Sequence, residues 1–485
     1  ANGIHLVGRS FKYHRPRGFL GSGSEEPNAI VQILKDNART EPNIRATQIE
    51  IFDGFEAKSQ NCWPSVNFDI GEINNLFSPI IPAGFYYKTF MWPAKLWKTY
   101  EYFIRKAAGL GVSATQRDPD LYEHKYHHCD VLIVGTGPAG LTAAMIAANS
   151  GKKVLLVDEK AELGGSLVGS DNNLVNIDNV TPNEWVKKIY SKLSKNKNIK
   201  VLNRTSVSAY HNYNYLIMMQ NLTDHLNEND KKNKTRQCLW KVRAKKVILA
   251  TGSIERTMIF DCNDKPGIML SSAIRKYLNH YAVKCGNNIV LFTNNDDAYE
   301  TALSLHDKGV KIKAIIDIRD NSDGYLVKRC TSLGLNIMWK HAVVRVGGHK
   351  KINKVVVMKL SNNNNSVVGK KTEIKCDLMG VSGGYTPSVH LFTQSGGKLS
   401  FDEKKFYFYP DKTSLDQISV GSCAGIFNLK KIIQETNLKV NSFLKTNIKI
   451  ETIVSDNKSG KFENIWLLPS DIVSGKTKSF VDFQN

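Results

Sequence analysis

CDVLIVGTGPAGLTAAMIAANSGKKVLLVDE, residues 129–159, decides the fold. Val131 to Val134 is a short apolar run ending at a glycine, the pattern of a strand buried on both faces of a parallel sheet. Gly135, Gly137 and Gly140 follow at GxGxxG spacing, with Pro138 and Ala139 between the last two. The Ala-rich stretch predicts a helix over 141–149, and Val154–Val157 predicts a second buried strand that ends on Asp158 and Glu159. Each glycine has a physical task. Gly135 permits the tight turn out of the strand, Gly137 lets backbone approach a pyrophosphate, and Gly140 lets the helix pack closely on the sheet. The free N–H groups at the helix start then face the phosphates. Asp158 stands eighteen residues after Gly140, placed to hydrogen-bond a ribose diol, with Glu159 the neighbour that can substitute. Gly165, after Gly164, opens a loop over the adenosine or makes an ordinary turn. A lone GxGxxG is weak; strand, glycines, helix, strand and acid in order are specific.

Working outward, Lys245–Gly252 (KKVILATG) reads as a strand running into a turn, with Thr251 and Gly252 approaching the nucleotide or only shaping the turn. Residues 287–317 repeat the strand–turn–helix–strand pattern, but the turn is Thr293-Asn-Asn-Asp-Asp-Ala298. Asparagine tolerates left-handed backbone, so the turn survives, while two aspartates at the helix start repel a pyrophosphate. This unit therefore reads as Rossmann-like with its nucleotide lost. Residues 381–387 (VSGGYTP) and 418–427 (ISVGSCAGIF) return to the first half, and Gly421 joins the candidate nucleotide contacts. In related flavoproteins a GD dipeptide here supplies an acid to FAD; Ser422 replaces it.

The chain has 485 residues, enough for about three domains. It lacks the run of about twenty apolar residues a membrane span needs. The eight cysteines are scattered without a CxxC, which excludes a thioredoxin-type dithiol and a zinc ribbon, and suits a reducing cytoplasm. The first is Cys62, so residues 1–61, with strands predicted at 29–34 and 47–52, cannot ligate an iron–sulfur cluster. Residues 62–128 are rich in aromatics and proline (Phe85, Tyr86, Tyr87, Phe90, Met91, Trp92, Trp97), an arm packed in a core or at an interface. The net charge of +21 lies in lysine–asparagine stretches such as 230–236 and 350–354, which read as solvated loops. There is no nucleic-acid module; an acidic partner subunit is the sharper reading of the charge.

Long stretches then carry a resemblance: GRSFKYHRPRGFLGSGSEEPNA (8–29), QNCWPSVNFDI (60–70), GFYYKTFMWP (84–93), GTGPAG (135–140), LATGSIERTMIFDCNDKPGIMLSSAIRKYLN (249–279), FTNNDDAY (292–299), GGYTPSVHLFTQSGGKL (383–399) and KSFVDFQN (478–485). The chain resembles the alpha subunits of heterotetrameric sarcosine oxidases end to end. The resemblance implies an α/β fold: a small cysteine-free, ferredoxin-like, β-rich domain, then two Rossmann-like domains of the thioredoxin-reductase type. It implies NAD held tightly at the GxGxxG and not turned over. FMN would sit at the contact with a beta subunit and FAD on that subunit, with gamma and delta subunits completing the complex. The implied reaction takes sarcosine and oxygen to glycine and peroxide, the one-carbon unit going to tetrahydrofolate. The family continues into a folate-binding half where this chain stops, so the chain reads as a piece.

The expected division is 1–61 ferredoxin-like; 62–128 connecting arm; 129–260 with 380–445 the NAD-binding domain; 261–379 the inserted unit with a degenerate turn; and 446–485 a polar extension. Lys12, His14, Arg15 and Arg17 contact an FMN phosphate or form a solvated or interdomain salt-bridge cluster, and His390 reads as a packed histidine. No Ser/His/Asp set, metal cluster or acid–base carboxylate pair stands out, so no catalytic residue and no metal ligand is assigned. Two alternatives stand beside the resemblance: a free-standing FAD-dependent NAD(P)H oxidoreductase, and an NAD-stabilised scaffold of an amine or opine oxidase.

Overall fold

The computed structural model describes residues 3–35, 38–77, 92–455, 462–472 and 477–479. The diagnostic stretch folds as its pattern requires. Strand β1 (Leu121–Val134) runs into helix α1 (Pro138–Asn149) and strand β2 (Val154–Val157). Val131–Val134 pairs in parallel with Val154–Val157, which pairs in parallel with Ile199–Leu202. The helix is buried from Pro138 to Ala148, which its alanines allow because they bring it close to the sheet without voids.

β1 is ten residues longer at its start than the apolar run. Leu121–His128 is mostly exposed and is held by parallel pairing with β3 (Thr235–Leu249), whose start also pairs antiparallel with Tyr215–Asn221. Backbone pairing, which leaves no apolar signature, carries this extension. The closing strand Gln417–Ser419 lies beside the end of β3, and helix α2 (Leu429–Leu444) packs on α1.

The chain leaves this sheet through Ser253–Glu255 and returns through Tyr385–Pro387; the two pair as an antiparallel ribbon. Between them lies a five-stranded parallel sheet in the order Ile268–Leu270, Leu378–Ser382, Asn288–Thr293, Lys311–Asp317, Ile337–Trp339. The expected boundary at 379/380 thus falls inside a strand of this second sheet. A three-stranded antiparallel sheet packs beside it and shares its core, with Phe292, Ile316, Val343 and Val357 fully buried.

In the first domain Ile30–Leu34 sits between Glu41–Arg45 and Glu56–Ser59. The strand expected at 47–52 does not form; Ala46–Gln48 is a short 3-10 turn and Ile51 is 82% exposed. Ile49 and Phe52 are only half-buried, Phe52 under the Lys231 ammonium, so the apolar alternation there faces no sheet partner among the described residues. The edge strand instead contains Pro42, tolerated because an edge position does not need every N–H. In the arm, Trp92, Trp97, Tyr102 and Phe103 are exposed; Phe85, Tyr86, Tyr87, Phe90 and Met91 lie outside the described residues.

Candidate functional site

A cavity of about 1000 Å³ opens at the carboxyl ends of the first sheet and reaches the second unit. Gly135, Gly137, Pro138, Ala139, Asp158, Glu159, Gly165, Thr251 and Gly252 all line it. Gly135 has φ +101°, and a Cβ there would fall 2.3 Å from the Ala250 carbonyl oxygen. A Cβ on Gly140 would fall 1.9 Å from the Gly135 carbonyl oxygen, so this glycine serves the helix–strand approach behind the wall. Gly137 is different. It precedes α1, and a Cβ on it would meet nothing within 4 Å. The space in front of the helix N-terminus is open. Gly165, at φ +57°, closes over this turn, its Cβ position only 2.8 Å from the Gly137 Cα. Gly421 (φ +75°) packs against the Ala139 methyl behind the cavity wall, and Ser422 faces the cavity.

The two acids at the end of β2 divide their labour. Asp158 is buried, and it accepts the Thr136 N–H at 2.7 Å, the Thr136 hydroxyl at 2.6 Å and the Lys160 N–H at 2.9 Å. It knits the glycine turn to the end of β2. Sequence spacing set this carboxylate against a ribose; in the structure it lines the cavity with both oxygens engaged by neighbouring backbone N–H groups. Glu159 is the exposed acid at that edge, and it accepts the Ser24 hydroxyl at 2.8 Å. Thr251 Oγ1 donates to the Ser388 carbonyl at 2.8 Å and shapes its loop. His390 is exposed on the cavity wall, so the expectation of a packed histidine fails.

The inner end of the cavity is charged. Arg275 pairs with Asp297 at 3.2 Å and Glu300 at 3.5 Å, and the Tyr385 hydroxyl donates to Asp297 at 2.9 Å. Glu255, 1% exposed, accepts the Ser272 N–H at 2.8 Å. Burial, then the charge on Asp297, pushes its carboxyl up to about 8.

The second turn is closed by the molecule itself. Asn295 donates to Ser382, and Asp296 pairs with Arg319 at 2.7 Å. Residues 462–468 lie across it: Asn294 Nδ2 donates to the Glu463 carbonyl at 3.0 Å, and the Glu463 N–H returns to the Asn294 carbonyl at 2.9 Å. Trp466 Nε1 donates to the Gly383 carbonyl at 2.7 Å, and Arg256 stacks over the Trp466 ring at 4.3 Å. The sequence reading foresaw a degraded turn but not this strap.

The basic cluster of the first domain makes interdomain ion pairs. Arg15 forks onto Asp264 at 2.7 and 2.8 Å, Arg17 meets the same carboxylate, and His14 meets Asp69 at 2.6 Å. Ser22, Ser24 and Glu25 also line the cavity, a contact that no local motif in the sequence announces. No cysteine lines it, all eight cysteines are free, and no metal-binding group occurs among the described residues.

A two-sheet nucleotide fold with one open glycine turn defines an oxidoreductase of the pyridine-nucleotide type. The pyridine nucleotide-disulphide oxidoreductase family matches residues 129–429, and the chain belongs to it. A 2Fe-2S iron-sulfur cluster binding domain matches residues 1–62, giving a ferredoxin-like start. More particularly, the chain is 37% identical over its whole length to sarcosine oxidase subunit alpha of Rhizobium meliloti (strain 1021), and 32% identical to that of Corynebacterium sp. (strain P-1). It spans 48% and 46% of those relatives, about half their length. Among solved structures it is similar to L-proline dehydrogenase from P. horikoshii, with TM-score 0.58, 19% identity, and 92% of this chain and 69% of that one covered. T. acidophilum thioredoxin reductase follows at TM-score 0.50, 18% identity, and 66% and 98% coverage. These two likenesses bear on the fold. No helix among the described residues is long and apolar enough to cross a membrane.

Proposed function

We propose that this chain holds one dinucleotide, NAD, as a fixed passenger, and serves as the alpha-type part of a sarcosine oxidase complex. The open space before α1, beside a second turn covered by residues 463–465, is the observation that carries this reading. One turn faces open space and the other is bridged at Asn294 by the strap. The backbone of Gly135–Ala139 and the α1 N-terminus would take the pyrophosphate, Glu159 the adenosine ribose, and Thr251–Gly252 the turn beside it. Ser422, where FAD-binding relatives of the fold carry an acid, favours NAD over FAD. Bound NAD supplies hydride chemistry in general; here it has no cysteine pair to serve.

In the same reading, FMN lies at the contact with a beta subunit that carries FAD, with gamma and delta subunits beside it. Sarcosine is oxidised to glycine there with formation of peroxide, and tetrahydrofolate takes the one-carbon unit. The soluble complex would be cytoplasmic.

Denaturing the purified chain and weighing the released nucleotide tests the proposal. NAD near one per chain is expected. In Gly137→Ala, whose φ of −64° suits alanine, the nucleotide should be lost with the melting temperature of the nucleotide-free protein unchanged. Stoichiometric FAD, reduced by added NADH, would favour the free-standing oxidoreductase instead. Activity on sarcosine, other N-methyl amino acids and opines, with the beta partner present, separates an oxidase subunit from an inert scaffold.

A further inference from the structure

The first domain belongs to a family whose loops wrap an iron–sulfur cluster, yet its loop at residues 20–29 is wrapped around a carboxylate. Glu26, fully buried, accepts the N–H groups of Leu20 at 2.6 Å, Gly21 at 2.8 Å, Asn28 at 2.7 Å and Ala29 at 3.2 Å. Four donors converging on one anion fix the loop from both ends. Between those ends, Gly23–Glu25 forms a single 3-10 turn. Thr47 Oγ1 donates to the Gly23 carbonyl at 2.7 Å and Arg45 to the Ser24 carbonyl at 2.9 Å. Outside it, the Leu270 N–H donates to the Leu20 carbonyl at 2.7 Å, tying the loop to the second unit. The turn is therefore held in place from three sides, and its Ser24 hydroxyl reaches Glu159 at the cavity edge.

We propose that this loop is the outer wall of the adenosine pocket, with Ser24 a positioning residue that holds Glu159 to accept from the ribose diol. The inference rests on the dinucleotide reading given above. Glu159 is exposed, and an exposed glutamate samples several rotamers. A donor on one carboxylate oxygen (Oε1) restricts that choice and leaves the other oxygen toward the cavity. Glu159 has two lysines close by on the same wall, Lys160 and Lys276, and Glu25 offsets their charge. The ribose end is thus built half from the nucleotide domain and half from a domain that carries no cluster ligands of its own.

The test compares NAD with its 2′-deoxyadenosine analogue, by competition against the resident nucleotide in the full chain. The wild type should prefer NAD by about tenfold, the worth of one charge-assisted hydrogen bond. Ser24→Ala should weaken NAD several-fold, leave the deoxy analogue unchanged, and so narrow the preference. Ser24→Thr, which keeps the hydroxyl, should restore it. Melting of the nucleotide-free variants should match the wild type. Ser24→Ala that binds NAD as the wild type does, or that loses both nucleotides equally, overturns the role given to Ser24. If the wild type binds neither NAD nor the analogue, the dinucleotide reading itself falls, and the two failures stay distinct.

Discussion

A carboxyl group sealed beside another acid must keep its proton or find a cation, and Glu255 is in that position. Arg275, a buried cation that feels the charge of Glu255, is already taken by Asp297 and Glu300. Ser272 gives Glu255 one N–H, Ser382 faces it, and Asp297 works against its charge. A folded value of about 8 lies above that of an unfolded glutamate, so the native state binds the proton more tightly. Stability from this group is complete below the unfolded value of about 4.3 and is lost as pH rises through 8. Glu255→Gln should therefore flatten the fall in urea stability between pH 5 and 9, and at pH 8 should be as stable as the wild type or more so. An unchanged pH profile would refute the assignment. At this scale the sequence was legible where sterics act locally. Gly135 makes the tight turn and Gly140 the close helix–strand approach that their spacing assigns, and the space beside Gly137 is open. It was illegible where two neighbouring acids share a strand end. Asp158 and Glu159 both line the cavity just past the end of β2, but Asp158 is buried and spends its carboxylate on Thr136, while Glu159 is exposed. Which of them meets the hydroxyl of Ser24 depends on a loop 135 residues away.

At the level of elements, continuous apolar runs announced β2 and the strand of the second unit at 288–293, because burial on both faces writes itself into composition. Segments held mainly by backbone pairing were silent. Leu121–His128 is one, and the strap at 462–468 is another. The strap reads as polar extension, yet Ile259 donates its N–H to the Trp466 carbonyl and accepts from the Leu468 N–H at 2.9 Å, and Leu468 is buried. Trp466 is its anchor, packed beside Phe406 and Phe462 and under Arg256. Trp466→Ala removes an aromatic body, one hydrogen bond to Gly383 and a cation–π contact. A loss of about 2–4 kcal/mol in urea unfolding is expected. Asp296 and Asp297 remain at the start of the second unit's helix, Asp297–Asp307, so the variant should still release only one nucleotide per chain. A second equivalent appearing in Trp466→Ala would mean that the strap, and not the aspartates, keeps the second cradle closed.

Across the whole molecule, the first domain is attached by ion pairs of unequal depth. Glu41 meets Arg236, which also pairs with Asp224 at 2.7 Å, so part of a lysine-rich loop expected to be solvated is in fact a staple. Glu50 meets Arg204 at 2.9 Å with both side chains partly exposed, and such a pair contributes about 1 kcal/mol or less. Asp264 is the deep one. Its side chain is 5% exposed and it receives two arginines, Arg15 and Arg17, from the other domain. Burial works to raise this carboxyl, but the two guanidiniums more than offset it and hold the group below the usual aspartate range. A depressed folded value means stability that is present above the unfolded value and is lost as pH falls through the folded one. Asp264→Asn leaves two buried guanidiniums without an anion, a change that typically costs about 3–5 kcal/mol. The loss should fall on the docking of the first domain. Trypsin should then cut at Arg9 or Arg17 many times faster than in the wild type, while Glu50→Gln changes the rate little. Since the loop carrying Ser24 belongs to this domain, the same variant should also release its nucleotide faster. Proteolysis and nucleotide release that stay at wild-type rates in Asp264→Asn would show that the Glu41, Glu50 and backbone contacts suffice to hold the domain on the cavity.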